Sequence, residues 1–346
     1  MATTWYILLG FMLIVYVVLD GFDLGVGILH LWVARTDHER RTALAAIGPV
    51  WDGNEVWLIA AGGLLVFAFP RAYAVAFSGF YLPLMLVLWL LVLRGVSIEL
   101  RSHHGNPLWR QFFDAVFALS SAILALVLGV ALGNVLRGVP LDQTGYFSAP
   151  LFSDFGTGGE LGALDWYTVT VGLFAVATLA AHGAMFLRWK TAGALAARAS
   201  GLAGRLWIAS AALAIAVTAA TAVVRPALLA ALAGRPGLWI LPAGAIAGFA
   251  AVFVALRRGW ELGGFLASGA TIAALLGMTA GALYPHLLPS SIDARFDLDI
   301  AGAANSAHGL AIGLMWWIPA IALAIGYFVY LFRSFRGKTQ PGDDHA

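Results

Sequence analysis

The sequence predicts an all-α polytopic membrane protein with nine transmembrane helices, its N-terminus outside and its C-terminus in the cytoplasm. Three observations carry this. Of 346 residues, 61% are apolar and only 11% charged, against roughly 25% charged in a soluble domain. The 20 basic and 18 acidic residues leave apolar runs of about 20 residues, the length that crosses a hydrocarbon core. The basic residues also fall in alternate connections between those runs, as the positive-inside rule requires of cytoplasmic loops.

In chain order the expected spans are 6–33, 50–69, 73–94, 112–135, 164–187, 206–224, 238–256, 262–284 and 307–331. The first has no basic residue before Arg35, so it lacks the charged start of a cleavable signal peptide. The second is continuously apolar only from Val56 to Phe69, and on length alone reads equally as a buried or re-entrant helix. Charge decides for a crossing. Arg35, Arg40 and Arg41 follow span one; Arg94, Arg101 and Arg110 follow span three. Arg188, Lys190, Arg198 and Arg205 follow span five, Arg257 and Arg258 span seven, and Arg333, Arg336 and Lys338 span nine. These fifteen lie on one side, and Arg71, Arg137, Arg225, Arg235 and Arg295 on the other. Two crossings are therefore needed between Arg41 and Arg94, and the sequence pI of about 9.0 reflects topology rather than a nucleic-acid partner.

The connection 136–163, with Gly145, Gly156, Gly158 and Gly159 and the acids Asp142, Asp154 and Glu160, reads as an outer loop. Spans one to four and five to eight both start and end outside, which allows two parallel repeats with a ninth helix appended. The second half is rich in Ala and Gly and nearly free of ionisable residues at membrane depth; small residues permit close packing, so it reads as scaffold. The absence of cysteine excludes thiolate metal sites, iron–sulfur clusters and disulfides.

Chemistry is expected where acids enter the membrane. Asp20 and Asp23 lie roughly 22 and 27 Å from the outer end of span one. Each costs roughly 2.5–3.5 kcal/mol at membrane depth, so neither faces lipid. At helical spacing they join Tyr16, Gly27 and His30 in one polar stripe descending to the cytoplasmic side. That arrangement suits a proton route or a partner contact rather than packing alone. Asp52 and Glu55 form a second acidic pair at the cytoplasmic start of span two. A helix N-terminus favours acids by itself, so position alone leaves a structural and a functional reading open. Four carboxyls at similar depth would suit proton uptake from the cytoplasm.

Arg94 and Glu99, closing span three, either pair with these acids or snorkel to headgroups, the simpler reading. Asp114, Trp109 and Arg110 read as interfacial anchors. His182 is the one histidine deep in the bilayer. With His308 toward the opposite end of its own span, a hydrogen-bonded core histidine is favoured over heme or metal ligation.

Several of these residues are elements of a known pattern. Asp20-Gly21-Phe22-Asp23-Leu24-Gly25-Val26-Gly27, Glu39-Arg40-Arg41, Trp51-Asp52-Gly53-Asn54-Glu55-Val56-Trp57, Phe77-Ser78-Gly79-Phe80-Tyr81, Gly133-Asn134 and Gly138-Val139-Pro140 occur in order over about residues 15–140. In these the sequence resembles subunit II of the cytochrome bd-type quinol oxidases, including the cyanide-insensitive branch. The resemblance implies a single transmembrane domain over 1–346, made of a four-helix bundle at 6–135 that carries the acidic stripe, the outer loop 136–163, a second four-helix bundle at 164–284 and a peripheral helix at 307–331. It implies a heme-bearing partner, subunit I, that holds b- and d-type hemes and the quinol site, so this chain binds no heme or metal alone; small accessory subunits are left open. It also implies a proton path through Asp52 first, then Asp20 and Asp23, with Glu55, where relatives carry Gln, less secure. Some relatives hold a structural quinone or lipid near the tryptophan that Trp51 matches; Trp51 and Trp57 are the candidate contacts.

The expected function is therefore that of a subunit of an electrogenic, non-pumping quinol:dioxygen oxidoreductase in the bacterial inner membrane, making water and drawing protons from the cytoplasm. The alternative is a proton-coupled secondary transporter, which composition and buried acids also allow, although the halves show no matching broken helices. A cytochrome in its own right, using His182, lacks a second ligand.

Overall fold

In a computed structural model that describes residues 1–339, the regular elements are helices except for one short ribbon, and the connection 138–165 is irregular. Helix α1 (Ala2–Val33) is followed by α2 (Asp37–Ile47), whose start is fixed by a capping box between Thr36 and Glu39. Next come α3 (Trp51–Ala68) and α4 (Pro70–Gly79). Phe69 between them leaves the helical region, at φ −135°, ψ 62°. The residue before a proline avoids the helical region, and proline itself is well suited to the first helical position. Helices α5 (Tyr81–Leu100) and α6 (Pro107–Arg137) complete the first half.

The second half repeats this device. Helices α7 (Trp166–Lys190) and α8 (Gly193–Val224) lead to Arg225, at φ −144°, ψ 69°, before Pro226 opens the short α9 (Pro226–Ala233). A 3₁₀ turn feeds α10 (Ile240–Arg258), and α11 (Glu261–Leu283) follows. The antiparallel pair β1 (His286–Leu288) and β2 (Leu298–Asp299), with His286 opposite Asp299, leads through α12 (Ile300–Ala303) to α13 (Ala307–Ser334).

Eight helical segments among the described residues are long and apolar enough to cross a membrane. Trp51–Ala68, matching the expected span 50–69, is not among them: it has 18 residues, but Asp52, Asn54 and Glu55 occupy its beginning. The expected span 73–94 is shifted. Residues up to Gly79 belong to α4, the chain turns at Phe80, and the long helix runs from Tyr81 to Leu100. Because the apolar run is continuous across this turn, hydropathy does not mark it. The shift carries Arg94 from the end of a helix into its interior.

α1 and α7 form the centre. α1 packs on α3, α6, α7 and α11, while α7 packs on α6, α8 and α11. They cross where Gly25 meets Gly183: a Cβ on Gly25 would lie 2.0 Å from the Leu179 carbonyl oxygen, and one on Gly183 would lie 2.3 Å from the Gly25 carbonyl carbon. Only two glycines admit so close a backbone approach. α13 lies outermost, with none of its most apolar stretch buried.

Candidate functional site

The acidic face of α1 is enclosed by α3 and α5. Asp20 and Asp23 are 0% and 1% exposed, as is Arg94 of α5 at 0%. Arg94 Nη2 donates to Asp20 Oδ1 at 2.6 Å and also pairs with Glu55. Asn54 of α3 donates from Nδ2 to Asp23 Oδ2 at 2.7 Å and, more weakly, to the Leu19 carbonyl at 3.3 Å. Two carboxyls thus share one guanidinium, and a third lies beside them on Asn54. Six buried atoms around them have no protein partner: Tyr16 Oη, Asp20 Oδ2, Asp23 Oδ1, Asn54 Oδ1, and Arg94 Nε and Nη1. Each unpaired buried polar group costs about 1–3 kcal/mol. A set of carboxyls that outnumbers its cations and keeps free acceptor positions is suited to holding and releasing protons.

The other sequence candidates fall elsewhere. Asp52 is exposed on the surface of α3, and its side chain makes no hydrogen bond or ion pair among the described residues. Glu99 is exposed and bonded only through its backbone carbonyl, to His103. Trp51 packs edge-on to Gly95, where a Cβ would come within 3.2 Å of its ring. Trp57 lies one face away, 5% exposed, in the wall of an apolar groove of about 520 Å³ between α1, α3 and α13. Trp51 does not line that groove, whose walls include Trp5, Leu64, Phe67, Trp316 and Phe328. The Trp57 Nε1 donor has no protein partner.

Two groups were missed at the sequence level. Asn54 stands within the motif at the start of span two, but its pairing with Asp23, 31 positions away, leaves no mark in the sequence. Asp114 reads as an interfacial anchor and is not one: it is 1% exposed, and its carboxylate accepts from His30 Nε2 at 2.7 Å, Arg101 Nε at 2.6 Å and Arg40 Nη1 at 2.9 Å. Arg101 also reaches Asp37 at 2.8 Å, at the head of α2, where Arg41 and Arg110 converge as well. Burial alone would raise the Asp37 carboxyl, but the hydrogen bonds and charges of Arg41, Arg101 and Arg110 outweigh it and hold it below the usual range. Glu39 is likewise held low despite some burial, by Arg198 and the backbone N–H groups of Arg35 and Thr36.

The family described as cytochrome bd terminal oxidase subunit II matches residues 1–335. The chain belongs to that family. It is 33% identical over 353 residues to cytochrome bd-I ubiquinol oxidase subunit 2 of Escherichia coli (strain K12), covering 93% of this chain and 90% of the relative. It is 30% identical over 339 residues to cytochrome bd ubiquinol oxidase subunit 2 of Bacillus subtilis (strain 168), covering 96% and 95%. Its fold is similar to that of a chain in the structure of bd oxidase from Geobacillus thermodenitrificans, with a TM-score of 0.74 at 19% identity over 96% of this chain and 98% of that one. The chain is thus a subunit of a terminal oxidase, a multi-pass protein of the bacterial inner membrane, and these likenesses do not favour the transporter.

The residues that carry the family resemblance have separate physical tasks. Gly25 admits α7, and Gly27 admits the Ser121 hydroxyl of α6. Asn134 donates to the Ala163 carbonyl at 2.8 Å and accepts from Arg137, tying the 138–165 loop to α6. His182 sits outside the acidic cluster, its Nε2 3.0 Å from the Val18 carbonyl and its Nδ1 2.6 Å from Ser268 Oγ. A carbonyl only accepts, so Nε2 donates to Val18, while Nδ1 meets a Ser268 hydroxyl whose single hydrogen also faces the Phe265 carbonyl at 2.6 Å. This is the core histidine expected from the sequence.

Proposed function

We propose that this chain is the subunit of a quinol:dioxygen oxidoreductase that ligates no heme itself and supplies part of a cytoplasmic proton path. The observation that carries the reading is the buried cluster in which Asp20 and Glu55 share the Arg94 guanidinium beside Asp23 on Asn54. In the assembled oxidase, hemes b and d of subunit I provide the electron transfer and oxygen chemistry. Asp52, exposed one turn before Glu55, is the entrance; Glu55 and Asp20 share Arg94, and Asp23 holds the inner position on Asn54. Protons taken from the cytoplasm and released by quinol outside make the reaction electrogenic without pumping.

The topology that serves this reading has nine crossings, with α3 as the second, the N-terminus outside and the C-terminus in the cytoplasm. The first four spans and the next four form two four-helix bundles, with α13 peripheral. The groove between α1, α3 and α13 fits the isoprenoid chain of a structural quinone or an acyl chain, with Trp57 Nε1 as a buried donor that has no protein partner. Subunit I covers part of the remaining apolar surface.

Asp52→Asn tests the path. The purified complex should keep its hemes and lose turnover, with slowed heme reoxidation. Full turnover in an assembled variant removes Asp52 from the path, and loss of hemes assigns it a structural task.

A further inference from the structure

The seam between α1 and α6 holds buried polar groups that the cluster around Arg94 does not use. Along α1, Asp23, Gly27 and His30 follow at helical spacing; along α6, Ser121, Phe117 and Asp114 face them. Ser121 Oγ fills the space of the missing side chain at Gly27, where a Cβ would lie 2.0 Å from it and 3.3 Å from Phe117 Cζ. The Phe117 ring stands edge-on to His30 at 5.2 Å between centroids. Ser121, His30 and Asp114 are all at most 1% exposed.

Three atoms along this seam lack a protein partner: Asp23 Oδ1, Ser121 Oγ and His30 Nδ1. A seam built only for packing would pair or omit them, since buried polar groups are otherwise satisfied. From Asp23 to His30 the rise along α1 is about 10 Å. The Ser121 hydroxyl near the midpoint, with one or two waters, spans that distance, and buried waters settle where such unpaired groups converge. The chemistry of the ends is suitable. Asp114 fixes the ring by accepting from Nε2, which leaves Nδ1 as the exchanging position, and a hydroxyl both accepts and donates. Arg40 and Arg101 donate to the same carboxylate, so the ring shares its counter-ion with two guanidinium groups. Arg40 and Asp37, at 22% and 37% side-chain exposure, bring this end of the seam to the solvent face.

We infer that His30, positioned by Asp114, relays protons from the cytoplasmic face to Asp23 through Ser121, along a route separate from the one that begins at Asp52. His30 takes a proton at Nδ1 from water admitted at the Arg40 edge and gives it up from the same nitrogen. The Ser121 hydroxyl passes its own proton toward Asp23 Oδ1 and regains the one from His30, so neither relay residue changes overall. The inference rests on the proton-path reading above and extends it.

The test uses the assembled oxidase with subunit I, its heme content read from spectra, and proton uptake in a single turnover with dioxygen followed by a pH-indicating dye. Ser121→Ala should slow uptake about tenfold, the effect of 1.4 kcal/mol on a transfer barrier, with heme content unchanged. Ser121→Thr, which keeps the hydroxyl, should restore it to within about twofold, a rescue that a purely structural role does not predict. His30→Gln should slow uptake at least as much, and if that variant fails to assemble, the serine pair decides alone. Wild-type uptake in a fully hemed Ser121→Ala complex overturns the relay. If Asp23→Asn slows uptake in the same assay while Ser121→Ala does not, the seam is excluded and the proton-path reading stands; if neither slows it, both fall.

Discussion

Two arginines are almost equally hidden, Arg94 in α5 at 0% and Arg137 at the end of α6 at 3% exposure, and the molecule uses them in opposite ways. Arg137 donates to the Gly138 and Gly162 carbonyls and to Asn134 Oδ1, and pairs with Asp165, which also caps α7. No side-chain atom of Arg137, Asn134 or Asp165 is among the unpartnered ones. Arg94 directs one nitrogen at two carboxyls and leaves two others unpaired, beside a third carboxyl and four more unpartnered atoms. Burial is common to both, so it does not distinguish them; the completeness of hydrogen bonding does. The saturated pair locks the 138–165 loop onto two helices. The unsaturated one keeps acceptor positions open on its carboxyls.

Substitutions can break this contrast, and the largest effect is expected at the saturated site. Arg137→Met strands Asp165 in the interior and should destabilise the complex by about 3–5 kcal/mol, seen as a large fall in melting temperature or loss of assembled subunit. Arg94→Met should cost less, about 1–3 kcal/mol, because carboxyls deprived of their cation can take up protons instead of remaining charged. Its turnover should nevertheless collapse. Equal melting temperatures for the two variants would erase the distinction drawn here.

The smallest effect belongs to the surface. The Asp37 carboxyl is held low by its arginines, so its contribution to stability is complete above its unfolded value, near 4, and is lost as pH falls through its lower folded value. Solvent screens the group, which is 37% exposed, and the contribution is expected to stay below about 1 kcal/mol. Melting the wild-type complex and Asp37→Asn from about pH 5 down to about pH 3 checks it. The wild type should lose an increment of stability that the variant never had, and parallel curves would show that the arginines around Asp37 contribute nothing.

How much of this was legible in the sequence follows from distance along the chain. Asp20 and Asp23 are three apart on one helix, and their shared face needs only helical periodicity to be seen. Arg94 lies 74 positions from Asp20 and 39 from Glu55, and the apolar run before it conceals the turn at Phe80 that moves it inside its helix. Asp114 is 84 positions from His30 and begins an apolar stretch, as an anchor would. The length and order of the long helices are set by local composition, so most are recovered; the α4–α5 boundary is not, because it depends on a proline and one backbone turn rather than on hydropathy. Pairings across helices depend on rotations about their axes, which one sequence does not specify.

The contact of Gly25 with Gly183 gives α1 a fixed origin. Everything on the C-terminal side of that crossing is indexed from it, at about 100° and 1.5 Å per residue. One residue inserted between Gly27 and His30 would swing the imidazole more than a quarter-turn off Asp114, while Asp20, on the far side of the origin, kept its bearing toward Arg94. Seven inserted residues would bring the ring back to nearly the same bearing, but about 10 Å too far along. The number of residues between the crossing and the histidine is itself a coded quantity, and it can be altered without changing the chemistry of any side chain.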